Sequence, residues 1–215
     1  MIKIQNVCKY YGSGEKQVKA LDDVSLEIVS GEFIVIQGPS GSGKTTLLMA
    51  LGGMLKPTRG KLAIDGKEIY ELSVGERAQV RSEKIGFVFQ MFHLLPYLSI
   101  LDNVLLASGS TKNKKAAADL LTKLDLADRI YHKPAALSAG EKQRAALARA
   151  KINNPSIILA DEPTGNLDPE NADVVISVLE EFKKQGGTVV VVTHGDQANQ
   201  YATKMVRLEK GRIVS

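Results

Sequence analysis

The sequence predicts an α/β fold: a parallel-sheet core, an N-terminal antiparallel β lobe and an inserted helical lobe. Three observations carry that prediction. Apolar residues fill consecutive positions at 33–36, 157–160 and 188–192, the pattern of parallel strands buried on both faces. Helical periodicities lie between these runs, and alternating β and α elements build a parallel sheet. The remaining segments segregate: residues 2–8, 17–29 and 60–70 are β-rich, whereas 97–155 read as almost entirely helical.

Taken in order, the first third supplies the β lobe, with Asp65-Gly66 a strong hairpin signal. The run Phe33-Ile34-Val35-Ile36 starts the core and leads through a glycine-rich segment into the helix-compatible run Thr46-Leu47-Leu48-Met49-Ala50-Leu51. Gly86-Phe87-Val88-Phe89 is a second short apolar run. Ala117, Leu120, Leu121 and Leu124 fall at i, i+3, i+4 and i+7, one face of a helix. Val174, Val175, Val178, Leu179 and Phe182 repeat that spacing after Asp168-Pro169, an N-cap followed by proline at the first helical position. The segment from Ser108 to Lys115, rich in Gly, Ser and Lys, reads as a mobile loop. The 215 residues thus form one domain: 1–90 hold the β lobe and the first part of the core, 91–150 the helical lobe, and 151–215 the rest of the core.

Composition narrows the class. Hydrophobic residues make up 44% and charged residues 24%, which excludes disordered and collagen-like chains. A net charge of +4, from 28 Lys+Arg against 24 Asp+Glu, neither requires nor excludes nucleic acid. The single cysteine, Cys8, cannot form an internal disulfide and reads as a small apolar residue of the first strand. No apolar stretch approaches the ~20 residues of a membrane span. Lys3, Lys9, Glu15, Lys16 and Lys19 break up any leader-like core, so a cytoplasmic protein is expected.

Gly38-Pro39-Ser40-Gly41-Ser42-Gly43-Lys44-Thr45 satisfies the phosphate-loop pattern G-x-x-x-x-G-K-[ST] at every fixed position, and it lies between an apolar run and a helix as that loop must. Glycines let the backbone curl so that consecutive N–H groups face one oxyanion, and the helix N-terminus adds partial positive charge. Lys44 is placed to reach the β- and γ-phosphates and the Thr45 hydroxyl to ligate Mg²⁺. A P-loop NTPase fold with a RecA-like parallel-sheet core is therefore expected.

Ile157-Ile158-Leu159-Ala160-Asp161-Glu162 is an apolar strand ending in two carboxylates, about 115 residues after the loop. By itself this is a solvated strand end. Beside a phosphate loop, Asp161 becomes a hard oxygen ligand near Thr45, and Glu162, expected on the opposite side of the strand, faces an attacking water as general base.

With both motifs in place the sequence resembles the ATP-binding-cassette ATPases over nearly its whole length. Leu137-Ser138-Ala139-Gly140-Glu141-Lys142-Gln143 is similar to the family signature, Gln90 to the Q-loop glutamine, and Pro163-Thr164-Gly165-Asn166-Leu167-Asp168 to the D-loop. His194 resembles the switch histidine and Tyr11 the aromatic residue that stacks on adenine, with Tyr10 an alternative. Each has a plainer reading. Ser138 with Glu141 is a capping box, Asp168 an N-cap, His194 a strand-end histidine, Gln90 a solvated polar side chain, and Tyr11 a packed residue of the β lobe.

The resemblance implies an ATPase that uses ATP and Mg²⁺. Its nucleotide-binding residues are Tyr11, Gly38, Pro39, Ser40, Gly41, Ser42, Gly43, Lys44, Thr45 and Thr46. Glu162, His194, Gln90 and Lys44 are implied in catalysis, and Thr45, Gln90 and Asp161 at the metal. The family's head-to-tail dimer, or a paired cassette, places ATP between one P-loop and Ser138, Ala139, Gly140 and Glu141 of the other subunit, with Asp168 in the D-loop. Ala139 departs from a signature glycine and Glu141 from glutamine, which adds a carboxylate near an anion. Glu141 can avoid that conflict by turning back to cap its own helix, and Lys142 and Arg144 are candidates to offset its charge.

The subgroup most resembled contains macrolide exporters, lipoprotein-releasing complexes and antimicrobial-peptide resistance transporters. It implies a membrane-spanning permease partner, attachment to the inner face of the cell membrane, and no nucleic acid. The stretch Met91-Phe92-His93-Leu94-Leu95-Pro96-Tyr97 is the candidate docking surface for that partner, with core packing as the alternative. Relatives that regulate cell-wall hydrolysis at division are the second reading, and soluble cassettes of DNA repair or translation a distant third.

Overall fold

The computed structural model describes residues 1–108 and 113–214. Residues 109–112, the centre of the expected mobile loop, lie outside the described residues; Lys114 and Lys115 do not belong to a loop but open a helix that Asn113 caps.

Two sheets organise the chain. The first is antiparallel, in the order β2-β1-β4-β5, from β1 (Ile2–Tyr11), β2 (Val18–Ile28), β4 (Arg59–Ile64) and β5 (Lys67–Glu68). Asp65 and Gly66 both take left-handed backbone, φ 48° and 78°, as a two-residue hairpin turn with the right twist requires. The second sheet has six strands in the order β10-β9-β3-β8-β7-β6. In it β3 (Phe33–Gln37), β6 (Ile85–Phe89), β7 (Ile157–Asp161), β8 (Thr188–Thr193) and β9 (Lys204–Glu209) run parallel, while β10 (Arg212–Val214) is antiparallel to β9.

The consecutive apolar positions reflect two cores, one on each face. Phe33, Val35, Ile158, Ala160, Val189 and Val191 point into one, whereas Ile34, Ile36, Ile157, Leu159, Val190 and Val192 point into the other. The strand β9 carries no such run because its residues alternate, with Val206 and Leu208 buried and Arg207 exposed. Burial of each large side chain is worth ~1.5–3 kcal/mol, so both cores hold these strands at the centre of the fold.

The β lobe and α1 (Lys44–Leu51) cover one face. The other is covered by α3 (Ile100–Leu105), α4 (Lys114–Lys123), α5 (Ala139–Lys151) and α6 (Pro169–Lys184). The face of α4 is buried at Ala117 and Leu121, and α6 turns Ala172, Val175, Ile176, Leu179 and Phe182 inward. Residues 97–155 contain less helix than expected: α3, α4 and α5 are separated by short 3-10 turns and irregular chain. A helix not anticipated, α2 (Val74–Lys84), has no buried residue; the Ser73–Glu76 capping box starts it. Leu101, Val104, Leu121 and Leu147 share one buried cluster with Phe33 and Val191, so the helical segment and the sheet have a common core.

Candidate active site

The glycine-rich loop runs from the end of β3 into α1. Gly43 sits at φ 103°, and a Cβ there would stand 2.2 Å from the Ala20 carbonyl oxygen, so close passage beneath the β lobe needs glycine. The Lys44 side chain is buried, and its ammonium donates to the Gly38 and Pro39 carbonyls at 2.8 and 3.1 Å. Above lies a cleft of about 940 Å³ lined by Pro39, Ser40, Gly41, Gly43, Lys44, Thr45 and Thr46. Gln90, Asp161, Glu162 and His194 line the same cleft. Gly38 and Ser42 support the loop from behind: Gly38 through its carbonyl to Lys44, Ser42 through the Gly211 N–H donated to its carbonyl at 2.9 Å.

Asp161 ends β7 and accepts the Thr45 hydroxyl at 3.3 Å. Burial pushes its carboxyl above the ordinary range, and the nearby Glu162 charge adds to that shift; the Thr45 hydrogen bond and Lys44 oppose it. A desolvated carboxylate bonded to a hydroxyl, with the Gln90 amide lining the same cleft, offers hard oxygen donors of the kind that suit Mg²⁺.

Glu162 does not simply project from the opposite side of the strand. It lies one residue past β7 with φ 45°, and that left-handed backbone swings its carboxylate toward the end of β8. There Oε2 accepts the Thr193 hydroxyl at 2.9 Å and the His194 N–H at 3.3 Å, and Oε1 lies 2.8 Å from His194 Nδ1. Thr193 is buried, and its oxygen also accepts the Gly195 N–H at 3.0 Å. The His194 side chain is 68% exposed, so its ring stands open to the cleft while tied to Glu162.

The structure separates Tyr10 from Tyr11. Tyr10 packs into a polar network, its hydroxyl accepting from Arg59 at 2.9 Å and donating to Asp22 at 3.3 Å, with the Lys19 and Arg59 cations over its ring. Tyr11 is exposed and borders a recess of about 260 Å³ that shares Thr45 and Thr46 with the main cleft. Val18, Lys19, Ala20 and Lys210 also line the cleft; no motif marks them, and only the return of β2 and the turn after β9 bring them there.

Ser138, Ala139, Gly140 and Glu141 are not among the residues lining this cleft. They form the opening turn of α5. Ser138 is its N-cap, the Ser138 hydroxyl accepts the Glu141 N–H at 3.2 Å, and Glu141 Oε2 accepts the Ser138 N–H at 2.7 Å. Glu141 has thus turned back onto its own helix, and the cation beside it is Arg129, at 2.9 Å, rather than Lys142 or Arg144. Arg129 and the Ser138 N–H together hold the Glu141 carboxyl below the ordinary range. Arg144 donates instead to Asn171. Ala139 is exposed, so its methyl stands where the signature would leave bare backbone. Gly140 is buried, and its role is close packing rather than backbone freedom: a Cβ would lie 2.0 Å from Asn171 Oδ1. Asp168 caps α6, accepting the Asn171 N–H and side-chain amide at 2.9 and 2.7 Å. The α5 turn and Asp168 are therefore joined through Asn171, and Gln143 adds a bond to the Pro163 carbonyl at 2.7 Å.

Comparison with known proteins bears on the family and the fold. Residues 21–165 match the family described as ABC transporter. An uncharacterized ABC transporter ATP-binding protein of Thermotoga maritima is 44% identical over 99% of this chain and 93% of its own length. The macrolide export ATP-binding/permease protein MacB of Bdellovibrio bacteriovorus is 45% identical over 100% of this chain, which spans about a third of that relative, 34%. Among solved structures, the dimeric post-hydrolysis state of the cassette MJ0796 bound to ADP and Pi superposes with a TM-score of 0.92, at 41% identity, over 100% of this chain and 97% of that one.

Proposed function

The chain belongs to the ABC transporter family and is an ATP-binding, ATP-hydrolysing cassette, and from that premise we propose that it works in pairs to energise a membrane permease of the export type. The single observation that carries the catalytic part is the Glu162 carboxylate, fixed by Thr193 and His194 in the same cleft as Lys44 and Thr45.

In this reading the P-loop N–H groups and Lys44 bind the phosphates, with Lys44 giving up its two loop carbonyls for phosphate oxygens. Tyr11 stacks on the base from the adjoining recess. Thr45, Asp161 and Gln90 would hold Mg²⁺, which when bound neutralises charge on the phosphate oxygens. Glu162 accepts the proton of a water that attacks the γ-phosphorus; the bond to the β-phosphate oxygen breaks, releasing ADP and phosphate. His194 orients Glu162 through its ring and faces the γ-phosphate. The 138–141 turn lies outside this cleft, which supports its use by a second copy: two equal composite sites close a two-fold dimer.

A groove of about 550 Å³ supports the permease. Met54, Arg81, Phe87, Phe89, His93 and Leu106 line it, and Met91 and Tyr97 nearby are exposed. Phe89 of this groove directly precedes Gln90 of the cleft, so a segment seated there would respond to the cleft. No helix among the described residues is long and apolar enough to cross a membrane. The MacB relatives carry a permease in the same chain by name; here export and its cargo are inferences from them.

The test is Glu162→Gln in the full chain. It should bind ATP, accumulate as an ATP-dependent dimer by light scattering, and lose ~10²–10⁴-fold in single-turnover hydrolysis. Turnover near that of the parent would overturn the assignment of the base.

A further inference from the structure

The turn that opens α5 carries a charge that its proposed task disfavours. A carboxylate in the first turn suits a helix N-terminus in isolation, yet it repels a polyanion arriving at the same end. Both oxygens of Glu141 are occupied: Oε2 by the Ser138 N–H, Oε1 by Arg129 Nε at 2.9 Å. Arg129 comes from a separate 3-10 turn, Ala127–Arg129, whose backbone is secured by its own N–H to the Leu126 carbonyl and by the His132 N–H to its carbonyl. The Glu141 side chain is only 18% exposed, so the pair is partly shielded from water, where its attraction is less screened. The guanidinium therefore does two things at once. It fixes the carboxylate in the capping geometry, and it cancels the charge next to the Ser138 hydroxyl.

We propose that Arg129 is a positioning residue for the ATP-dependent dimer: it holds Glu141 folded back on Ser138 and neutralises it, leaving the 138–140 turn able to receive the terminal phosphate of ATP bound by a second copy. The inference rests on the reading of that turn as phosphate-facing in trans. It assigns the compensation of the Glu141 charge to a residue outside the signature segment.

The test uses the full chain with Glu162→Gln, and reads the ATP concentration at half-dimerisation by light scattering. ADP affinity of the single copy, by fluorescence titration, reports the P-loop alone. Arg129→Met should raise the half-dimerisation concentration ~10-fold, as loss of a charge partner at an interface does, with ADP affinity unchanged. Adding Glu141→Gln to Arg129→Met should return it to within about twofold of the parent, since no charge then needs cancelling. Arg129→Lys should fall between. A purely structural role for Arg129 predicts no rescue by Glu141→Gln, and that result, or dimerisation of Arg129→Met like the parent, would overturn the proposal. Ser138→Arg tests the reading beneath it. If this bulky variant still dimerises at the parental ATP concentration, the turn does not face phosphate at all; if it fails while Arg129→Met behaves like the parent, only the role of Arg129 falls.

Discussion

His194 Nδ1 and Glu162 Oε1 meet at 2.8 Å, across 32 residues of sequence, at the adjoining ends of two parallel strands. The contact exists because Glu162 leaves β7 with left-handed backbone and so leans over β8. Thr193, buried beneath, adds a second anchor to the same carboxylate. The carboxylate proposed as general base is therefore held from two directions, which is the fixed placement that proton transfer requires.

Removal of either anchor should cost rate before it costs binding. Thr193→Val deletes one hydrogen bond to a charged acceptor, worth about 1.5–3 kcal/mol, and His194→Ala removes the ring contact while leaving the backbone N–H at that position. Each should lower kcat by at least ~10-fold, the equivalent of about 1.4 kcal/mol, with KM for ATP changed little. Steady-state phosphate release measures both, and a change confined to KM would show that these residues bind rather than position.

Lys44→Ala should separate ligand binding from folding. The ammonium satisfies two loop carbonyls that water can reach once it is gone, so the thermal midpoint should move by only a few degrees. Loss of its charge-assisted bonds to phosphate should weaken ATP binding by ~30-fold or more. Fluorescence titration with nucleotide decides; unchanged affinity would mean that the loop does not bind phosphate.

The two small residues of the 138–141 turn should differ in how much exchange costs. Gly140→Ala drives a Cβ toward Asn171, whose side chain is held by both Asp168 and Arg144. It should destabilise the chain by roughly 1–3 kcal/mol and disturb Asp168. Ala139→Gly, at an exposed position, should cost under ~1 kcal/mol. Chemical denaturation of the two variants compares them directly.

The Glu141–Arg129 pair should show in the pH dependence of stability. The folded-state pKa of Glu141 is lowered, so its contribution is fully present above the ordinary carboxylate value and is lost as pH falls through the folded value. Arg129→Met should therefore be less stable than the parent at pH 7 and at pH 5, and the gap should close in the acid range below about pH 4. Denaturant midpoints across that range measure it. A gap that widens toward low pH would contradict the sign.

Much of this molecule is local in origin. The P-loop is one contiguous segment whose glycines, lysine and threonine act on their own neighbours, and the buried strands announce themselves because a strand covered on both faces must be apolar at every position. Caps are equally local: Ser138 and Asp168 could be placed from three or four residues of sequence. Three things were not local. The orientation of Glu162 depends on a left-handed residue and on β8 arriving alongside, not on strand alternation. Thr193 and Lys210 have no motif; only folding brings Thr193 beneath the Glu162 carboxylate and Lys210 to the cleft. The cation facing Glu141 could not be chosen from its neighbours in sequence, Lys142 and Arg144, because Arg129 reaches it from a separate turn. By itself the sequence determined which chemistry the chain carries, since residue type and short spacing decide what can cradle a phosphate or accept a proton. Only the tertiary structure decided which groups hold those residues in place, because hydrogen-bond partners are set by distances of about 3 Å between segments that only folding brings together.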